Sequence, residues 1–549
     1  MGGHSPNPTE ETEMLSRLQK RGRTALRSVA LATLVLTGAA APSMAQEGTL
    51  VIARDMDINS LDPARAWCDT CQIYNSSAYE SLLSLDKDNK LVPLLAQSWE
   101  VNEAQTVITL KLDPAAKFAD GSPVESKDVK WSFERKKNLK ANSSFMADPI
   151  TAIDTPDAAT VVLTLASPNS EYLQILASNY MTVLNSDVVA EHGGIADETA
   201  ADKDSSEPWL MANSAGSGPF VLASYEPNSE LRLAANPNYW REGPPTAEVV
   251  LRQVADAVAQ AQMLQSGAVD IAMQIDSDTA ATLEGSAGVV IERQPSLNFV
   301  YLVLSPGAVG NKVPLSAEIR EAVSLAIDRS SLIDVVVGGA GRPMAAPIPL
   351  GFPGSEGHAI PAYDPERAKA LLAEAGVPDG FEMDSIYPDL NVFGVDMSLM
   401  MQKVQQDLAK VGIKVNLSPM PLANWRDVVN GDGTPLTAVF YAPDFFGTSQ
   451  YVDYFGLAPG SVWAKRAGGE RDASFLNNEI NGIRDAALAA KTPEEAEAAW
   501  FKTGEIMANT RIMLPMVSPD LILAHRDTVE GVRFSICCNL PLAEISLKK

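Results

Sequence analysis

The sequence predicts a mixed α/β fold that is divided into several domains. Segments with the β-branched content of strands, such as Val107–Leu112 and Phe299–Leu304, alternate along the chain with amphipathic segments such as 316–328. This alternation indicates packed layers of strands and helices. A length of 549 residues exceeds that of one ordinary domain, and a hydrophobic content of 46% is sufficient for sizeable cores.

The first part of the chain contains a strand–helix–strand–helix pattern. We predict a strand at 49–52 and a helix at 74–83, where Ala78 and Leu82 have helical spacing. A strand at 107–112 follows. The next helix is expected to begin with Ser126 as its N-cap, because Asp128 then lies where the helix dipole favours a negative charge.

The remaining elements are marked by glycine, proline and hydrophobic spacing. Glycine is expected to end the helices at 256–267, 365–376 and 395–411, and proline opens the second of these. Apolar residues four apart define the helix at 316–328. Thr492 and Glu495 form a capping box that opens a helix reaching about 509. The predicted strands of this part are 221–224, 299–304 and 413–417.

The N-terminus has the pattern of a cleaved export signal. Basic residues from Lys20 to Arg27 precede an uncharged run of 13 residues at 29–41, and Ser43-Met44-Ala45 supplies the small-x-small cleavage pattern. The run is shorter than the roughly 20 residues of a membrane-spanning helix. We therefore expect cleavage after Ala45, a mature chain that starts at Gln46 and no lipid anchor, because no cysteine follows the cleavage site.

Charge and missing motifs exclude several classes of function. Removing residues 1–45 leaves 504 residues with 38 basic and 66 acidic side chains, a net charge of −28 that repels nucleic acid. The chain has no Walker loop, no Gly-x-Ser-x-Gly and no His-Glu-x-x-His. His192, His358 and His525 are isolated, without ligand spacing. We predict no catalytic residue, no metal, no cofactor and no nucleic-acid partner.

The four cysteines are candidates for disulfides. They are Cys68, Cys71, Cys537 and Cys538, and an even count in an exported chain favours cross-linking, with three full pairings open. Trp67-Cys68-Asp69-Thr70-Cys71 before a predicted helix is also similar to a thiol-oxidoreductase site, where a helix N-terminus lowers the pKa of a cysteine. An exported thiol oxidoreductase that uses Cys68 and Cys71 is therefore an alternative function.

A series of motifs in a fixed order points to one family. Leu-Val-Pro-Leu-Leu-Ala-Gln-Ser-Trp-Glu at 91–100 is followed by Phe-Ala-Asp-Gly-Ser-Pro at 118–123 and Lys-Asp-Val-Lys-Trp-Ser-Phe at 127–133. Gly-Ser-Gly-Pro-Phe at 216–220, Asn-Pro-Asn-Tyr-Trp at 236–240 and Leu-Ala-Ile-Asp-Arg at 325–329 come later. Their order and spacing resemble the extracytoplasmic solute-binding proteins of the peptide/nickel type, family 5, over about 49–518.

This resemblance implies a two-lobed periplasmic binding protein of the class II or cluster C type. Its N-terminal lobe would be discontinuous, with segments 46–75, 213–304 and 515–549, and with an inserted domain at 76–212. The C-terminal lobe would comprise 305–514. The family also implies a periplasmic location, a monomer, and delivery of a bound solute to the permease subunits of an ABC importer. The solute would be a peptide or similar compound, with an opine or an oligosaccharide as alternatives.

The same resemblance indicates where the solute binds. Phe-Tyr-Ala-Pro-Asp at 440–444 aligns with the family's Gly-Trp-x-x-Asp segment, whose carboxylate holds the α-amino group of a peptide. Asn391 falls where dipeptide binders have an arginine for the ligand carboxylate, and a neutral side chain cannot form that clamp. The predicted ligand-binding residues are Asp444, Tyr441, Phe440, Trp67, Arg65, Asn391 and Trp425. Structural roles are expected for Asp62, Pro63, Trp99, Asp120, Gly121 and Asp128.

Overall fold

The computed structural model describes residues 48–536 and 539–548. The predicted signal peptide with its cleavage site, and Cys537 and Cys538, lie outside the described residues. In the described ranges, no helix is both long and apolar enough to cross a membrane.

The strands of the described residues follow one another in this order: β1 (Thr49–Arg54), β2 (Glu80–Ser81), β3 (Leu83–Leu85), β4 (Leu91–Pro93), β5 (Ala96–Val101), β6 (Val107–Leu112), β7 (Ile150–Asp157), β8 (Thr160–Leu165), β9 (Thr182–Val183), β10 (Phe220–Glu226), β11 (Glu230–Ala235), β12 (Glu248–Gln253), β13 (Ile271–Ala272), β14 (Val289–Pro295), β15 (Phe299–Leu304), β16 (Gly341–Arg342), β17 (Phe381–Pro388), β18 (Asn391–Val392), β19 (Val395–Asp396), β20 (Ile413–Met420), β21 (Leu436–Tyr441), β22 (Met513–Arg526), β23 (Val529–Glu530) and β24 (Ser546–Leu547).

The α-helices of the same residues are α1 (Asp69–Ala78), α2 (Ser126–Leu139), α3 (Tyr172–Ile175), α4 (Ser186–Glu191), α5 (Ala200–Lys203), α6 (Glu207–Leu210), α7 (Ala257–Ser266), α8 (Ser277–Leu283), α9 (Ala317–Ala326), α10 (Arg329–Val337), α11 (Pro365–Glu374), α12 (Met397–Ala409), α13 (Leu422–Asn430), α14 (Ser449–Phe455), α15 (Val462–Arg466), α16 (Ile480–Leu488) and α17 (Pro493–Thr510).

One mixed sheet runs through the molecule in the order β10-β11-β12-β1-β13-β22-β15-β21-β17-β20, with β14 and β16 also paired to β22. The pairs β1–β12, β1–β13, β17–β20 and β17–β21 are parallel, and β22 is antiparallel to its neighbours. Every residue of β15 is buried, as expected for a central strand with packed elements on both faces.

The long strand β22 joins the two halves of this sheet. Its first part, Met513 to Val517, pairs with β15, whereas its last part pairs with β13 and β14. The short link 296–298 between β14 and β15 passes beside it, and Ser296 Oγ donates a hydrogen bond of 2.6 Å to the carbonyl of Pro519. Two adjacent segments therefore connect the half built on β1 to the half built on β15.

A smaller antiparallel sheet, β5-β6-β8-β7, lies between β1 and β10 in sequence. Helix α2 packs near it and begins with a capping box, in which the Glu125 N–H donates to Asp128 Oδ2 at 2.9 Å. Glu125, not the expected Ser126, is therefore the N-cap residue, because Asp128 accepts from the residue three positions before it.

Two helices differ from the sequence-based expectation in their bounds. The helix predicted at 74–83 is Asp69–Ala78, because Cys68 caps it and Tyr79 has an extended backbone that ends it. The helix predicted at 316–328 is α9, Ala317–Ala326, which ends two residues early because Ile327 is extended. Asp328 then caps a further helix, α10, by accepting from the Ser331 N–H, and this helix was not predicted. The glycine stop at Gly267 and the Thr492 cap are confirmed.

Ion pairs between buried side chains hold the loop between β1 and α1 to α2. Arg135 is fully buried and donates two hydrogen bonds of 2.9 and 2.6 Å to the Asp62 carboxylate, and its Nε donates to Asp204 Oδ2 at 2.8 Å. Burial opposes ionisation of Asp204, but the hydrogen bond and charge of Arg135 lower its pKa to about 2. The Asp62 carboxylate therefore has the expected structural role.

Candidate functional site

Strand β21 leads into the loop that carries Asp444. The loop backbone is fixed from both sides. The Asp444 N–H donates to Gln450 Oε1 at 2.8 Å, and its carbonyl accepts from Ser178 Oγ at 2.8 Å. Gln450 belongs to α14 on the same half of the molecule, whereas Ser178 follows α3 next to the small sheet. Asp444 therefore lies at an interface between two parts of the chain that are 266 positions apart.

The Asp444 carboxylate is mostly buried but has no hydrogen-bond donor or cationic partner among the described residues. Burial, and after it the negative charge of Asp69, raise the pKa of Asp444 well above its ordinary value. A buried carboxylate without a partner is costly for a protein. The carboxylate oxygens of Asp444 can accept hydrogen bonds from a cationic group that enters the interface.

Aromatic rings surround this loop. The Tyr441 ring lies 5.6 Å from Tyr451 and 5.1 Å from Tyr454, measured between ring centroids. Phe440 packs edge-on against Phe393 at 5.6 Å. Tyr441 therefore belongs to a cluster of aromatic rings next to Asp444, which can bury an apolar solute surface at a low cost in side-chain entropy. Phe440 precedes Tyr441 in β21, so its side chain points to the opposite face of the strand.

The loop before α1 faces Asp444 from the other half. The Trp67 ring stacks on Tyr180 at 5.0 Å, and the Tyr180 hydroxyl donates to the Cys68 carbonyl at 3.3 Å. The Asp57 carboxylate organises the start of α1, since it accepts from the N–H groups of Asp69 and Thr70 at 2.9 Å each. The structure thus brings Trp67 into the same aromatic region as Tyr180, two residues from the Ser178 that contacts Asp444.

Glu171 makes a second contact between the two sides. Its buried carboxylate accepts from the N–H groups of Thr448 and Ser449, at 2.8 and 3.0 Å, where α14 begins. Burial raises the pKa of Glu171 above its ordinary value. Together with Ser178, this carboxylate holds the Asp444 loop against the part of the chain that contains α3.

Sequence reasoning missed Glu171, Ser178 and Tyr180, and it did not single out the side chain of Asp69. Only Asp69 had a local signal, because an acidic residue lies between the two cysteines at a predicted helix start. The other three lie in segments without a recognisable motif.

Three predicted ligand-binding residues have other contacts. The Arg65 guanidinium lies 3.3 Å from Asp62 and 3.3 Å from Asp204, in the buried charge network. Trp425 is buried and donates from Nε1 to Thr437 Oγ1 at 2.8 Å. These contacts favour structural roles. Asn391 is exposed on the β18–β19 hairpin, whose Phe393 packs against Phe440.

Cys68 and Cys71 are bonded to each other across the first turn of α1. Cys68 also caps this helix by accepting from the Cys71 N–H. No group of three or more His, Cys, Asp or Glu side chains in residues 48–536 and 539–548 is arranged to hold a metal ion.

Comparisons with known proteins identify the family. Residues 90–461 match the family model "Bacterial extracellular solute-binding proteins, family 5 Middle". The chain is 27% identical over 494 residues to the probable D,D-dipeptide-binding periplasmic protein DdpA of Escherichia coli K12, covering 88% of this chain and 91% of that protein.

Two solved structures share the fold. One is the ABC transporter-associated periplasmic binding protein DppA of Helicobacter pylori in complex with the peptide STSA, with a TM-score of 0.77, 22% identity and coverage of 91% of this chain and 98% of that one. The other is AgaA of A. tumefaciens R10 in complex with agropinic acid, with a TM-score of 0.75, 24% identity and coverage of 91% and 99%. They confirm the predicted α/β fold class of a periplasmic binding protein.

The match covers most of the chain and agrees with the collinear motifs at 91–133, 216–240 and 325–329. The redox alternative for Cys68 and Cys71 has no support from this family, which consists of non-enzymatic transport components. The chain belongs to family 5 of the bacterial extracellular solute-binding proteins, the substrate-binding components of ABC importers.

Proposed function

We propose that this protein captures a peptide-like solute with a free amino group between two lobes and delivers it to the permease subunits of an ABC importer. The capture would take place in the periplasm, after cleavage of the signal peptide at Ala45. The main observation in support is the Asp444 carboxylate, which is mostly buried, lies near Tyr441 and Tyr451, and has no partner in the part of the chain that the structure describes. An ammonium group would supply the missing charge-assisted hydrogen bonds.

The connection between the halves of the central sheet supports a hinge. We place it at 296–298 and at Ser518–Pro519 within β22, where Ser296 Oγ bonds the Pro519 carbonyl and Ser518 Oγ donates to the Ser296 carbonyl at 3.2 Å. The predicted boundaries at 304/305 and 514/515 would then move by a few residues, because β15 pairs with β21 of the second half. Two short adjacent segments can absorb a rotation of whole lobes.

The contacts across the interface support a closed conformation. Ser178 bonds the Asp444 loop, and Glu171 bonds the N–H groups at Thr448 and Ser449. A solute that bridges the lobes would shift the open–closed equilibrium toward this arrangement, and the closed form would be what the permease recognises.

A peptide-like solute agrees with the relatives that bind a D,D-dipeptide and the peptide STSA. An opine is the second candidate. AgaA, whose structure contains agropinic acid, is about as similar to this chain in fold as DppA is. The neutral Asn391, in place of an arginine clamp, argues against a strict requirement for a free dipeptide carboxylate.

The test is native mass spectrometry of the protein purified from its own host, followed by calorimetric titration of the released solute. We expect a solute with an amino group. Asp444→Ala should weaken its binding by at least about tenfold, because truncating one partner of a buried charge pair costs about 2–5 kcal/mol. A neutral co-purified sugar, or an unchanged Kd in the variant, would contradict the proposal.

A further inference from the structure

Two acidic side chains face the proposed solute interface without a partner. Asp444 lies on the loop after β21, and Asp69 is the first residue of α1. Both side chains are mostly buried, and in the described chain neither carboxylate accepts a hydrogen bond or forms an ion pair. They come from opposite sides of the interface.

One short segment contacts both loops. Ser178 Oγ donates to the Asp444 carbonyl, and the Tyr180 hydroxyl donates to the carbonyl of Cys68, the residue before Asp69. Both acids also influence the pKa of the buried Tyr180 phenol, which burial raises first and their charges raise further. The two carboxylates are therefore close enough to share one solute.

The charges of the two acids interact. Burial, and after it the charge of Asp57, raise the pKa of Asp69 to about 7. Burial, and after it the charge of Asp69, raise the pKa of Asp444 well above its ordinary value. An ionised Asp69 therefore disfavours ionisation of Asp444. A closed interface with both carboxylates ionised and no cation between them is unfavourable.

The Tyr451 hydroxyl is a second, independent sign of a missing ligand. The Tyr451 side chain is 0% exposed, and its hydroxyl has no hydrogen-bond partner in the described residues. Asp444 is the charged group that affects it most. Buried hydroxyls are normally satisfied, so an unpaired one beside an unpaired carboxylate indicates that a polar group is missing between them.

The charged side chains at the interface determine which charge we expect the solute to carry. Asp57 is already satisfied by the Asp69 and Thr70 N–H groups and lies 3.9 Å from the buried Arg54 guanidinium. Arg54 therefore offsets part of the Asp57 charge. Asp69 and Asp444 have no such counter-charge within ion-pair distance in the described residues, and when both are ionised they carry a combined charge of −2. Trp67 and Tyr180 offer aromatic faces that attract cations.

We propose that Asp69 is a second specificity-determining residue and that the solute carries two cationic groups, one held by Asp444 and the other by Asp69. The inference rests on the proposed function, because it takes Asp444 as the site of the first amine. The favoured class is a peptide-like compound with a basic side chain beside its free α-amino group.

The test compares two probes, lysyl-alaninamide and norleucyl-alaninamide, by calorimetric titration. They have similar length, both have a free α-amino group, and only the first has a second ammonium. The wild-type protein should bind the lysyl probe at least about tenfold more tightly. Asp69→Asn should reduce this preference to about twofold or less, while its affinity for the norleucyl probe stays within about threefold of wild type.

Two further variants control for folding and for general charge. Asp69→Glu keeps the charge and should retain a preference for the lysyl probe. Asp88→Asn removes one exposed acid outside the interface and should leave the preference unchanged. Equal binding of both probes to the wild type, or a preference that survives Asp69→Asn, would overturn the proposed role of Asp69. Neither result would contradict the proposed role of Asp444. If neither probe binds, the proposed amine-binding function fails as well.

Discussion

Two acidic regions of this protein differ in how their charges are balanced. In the first, Asp62 and Asp204 are buried, and Arg135 bonds both. In the second, Asp69 and Asp444 are mostly buried, and no cation of residues 48–536 or 539–548 forms an ion pair with either. The pKa values follow this difference, since Arg135 overcomes burial to lower that of Asp204 to about 2. Burial raises the pKa values of Asp69 and Asp444, and the charge of Asp57 on Asp69 and of Asp69 on Asp444 adds to the effect.

The difference separates acids that build the fold from acids that are available to a solute. A satisfied carboxylate loses its partner only when the protein unfolds. An unsatisfied one makes the closed conformation costly until a cation arrives, so cation binding and closure become coupled. The most sensitive tests change the balance in one region and use the other as the reference.

The largest effect is expected from Arg135→Met. It leaves Asp62 and Asp204 buried without a counter-charge, so the free energy of unfolding should fall by about 3–5 kcal/mol. Urea denaturation followed by circular dichroism measures the change. The matched control is Lys127→Met, which removes an exposed ion pair with Asp187 and should cost at most about 1 kcal/mol. Similar losses in the free energy of unfolding of both variants would show that the buried ion pairs stabilise the fold no more than an exposed one does.

Acidification should favour the closed, solute-free form. The pKa of Asp69 is about 7 in this closed arrangement, and it should fall toward its ordinary value when the lobes separate, because burial is the largest cause of the shift. The closed form therefore binds the proton more tightly. Its extra stability is present below about pH 7 and is lost as the pH rises through that value. Asp57, Arg54, Tyr180 and Asp444 are the other titratable groups that face Asp69.

Small-angle scattering between pH 8 and pH 5.5 measures this effect, with closure expected to become more favourable by on the order of tenfold. The double variant Asp69→Asn, Asp444→Asn should remove most of the dependence. Glu171, whose pKa is also raised by burial, accounts for what remains. A radius of gyration with the same pH dependence in both proteins would assign the effect to other groups.

A smaller effect is expected from Glu171→Gln. The amide keeps the shape of the carboxylate, but its single oxygen can accept from only one of the Thr448 and Ser449 N–H groups, which now bond different carboxylate oxygens. The bond that remains is no longer charge-assisted, and charge-assisted hydrogen bonds are the stronger ones. We expect solute affinity to fall by about fivefold, in a titration that uses the co-purified solute. A matched change at the exposed Glu191, Glu191→Gln, should have no effect. Equal affinities in all three proteins would exclude a closing role for Glu171.

Asp444→Asn should have the smallest effect on stability. The described residues offer its carboxylate no stabilising contact in the absence of a solute. The free energy of unfolding of the solute-free variant should therefore stay within about 0.5 kcal/mol of that of wild type. Thermal unfolding monitored by circular dichroism measures it. A large loss of stability would place Asp444 with Asp62 and Asp204 among the structural acids.

Much of the fold could be predicted from sequence because its signals are local. Gly267 ends its helix and Thr492 caps another, and both depend on residues within one turn. The helix α10 at Arg329–Val337 was not predicted, since only the Asp328 cap separates it from α9.

The site was predicted less completely because it depends on distant partners. Asp62 and Asp444 both lie in family motifs, but Arg135 satisfies one of them and nothing in the described chain satisfies the other. The partner of the Asp444 carbonyl, Ser178, is 266 positions away. Trp425 is among the residues predicted to bind the solute, but its indole N–H donates to Thr437 Oγ1 in the core.

The most direct test of the coupling between charge and closure is small-angle scattering on protein from which the solute has been stripped. Scattering is recorded before and after saturation with the co-purified solute, for wild type and for Asp444→Asn at the same solute concentration. We predict that the solute makes wild type more compact and that it leaves the scattering curve of the variant unchanged. A wild-type curve that does not change with solute, or an equal compaction of the variant, would contradict the claim that the unpaired Asp444 couples cation binding to closure.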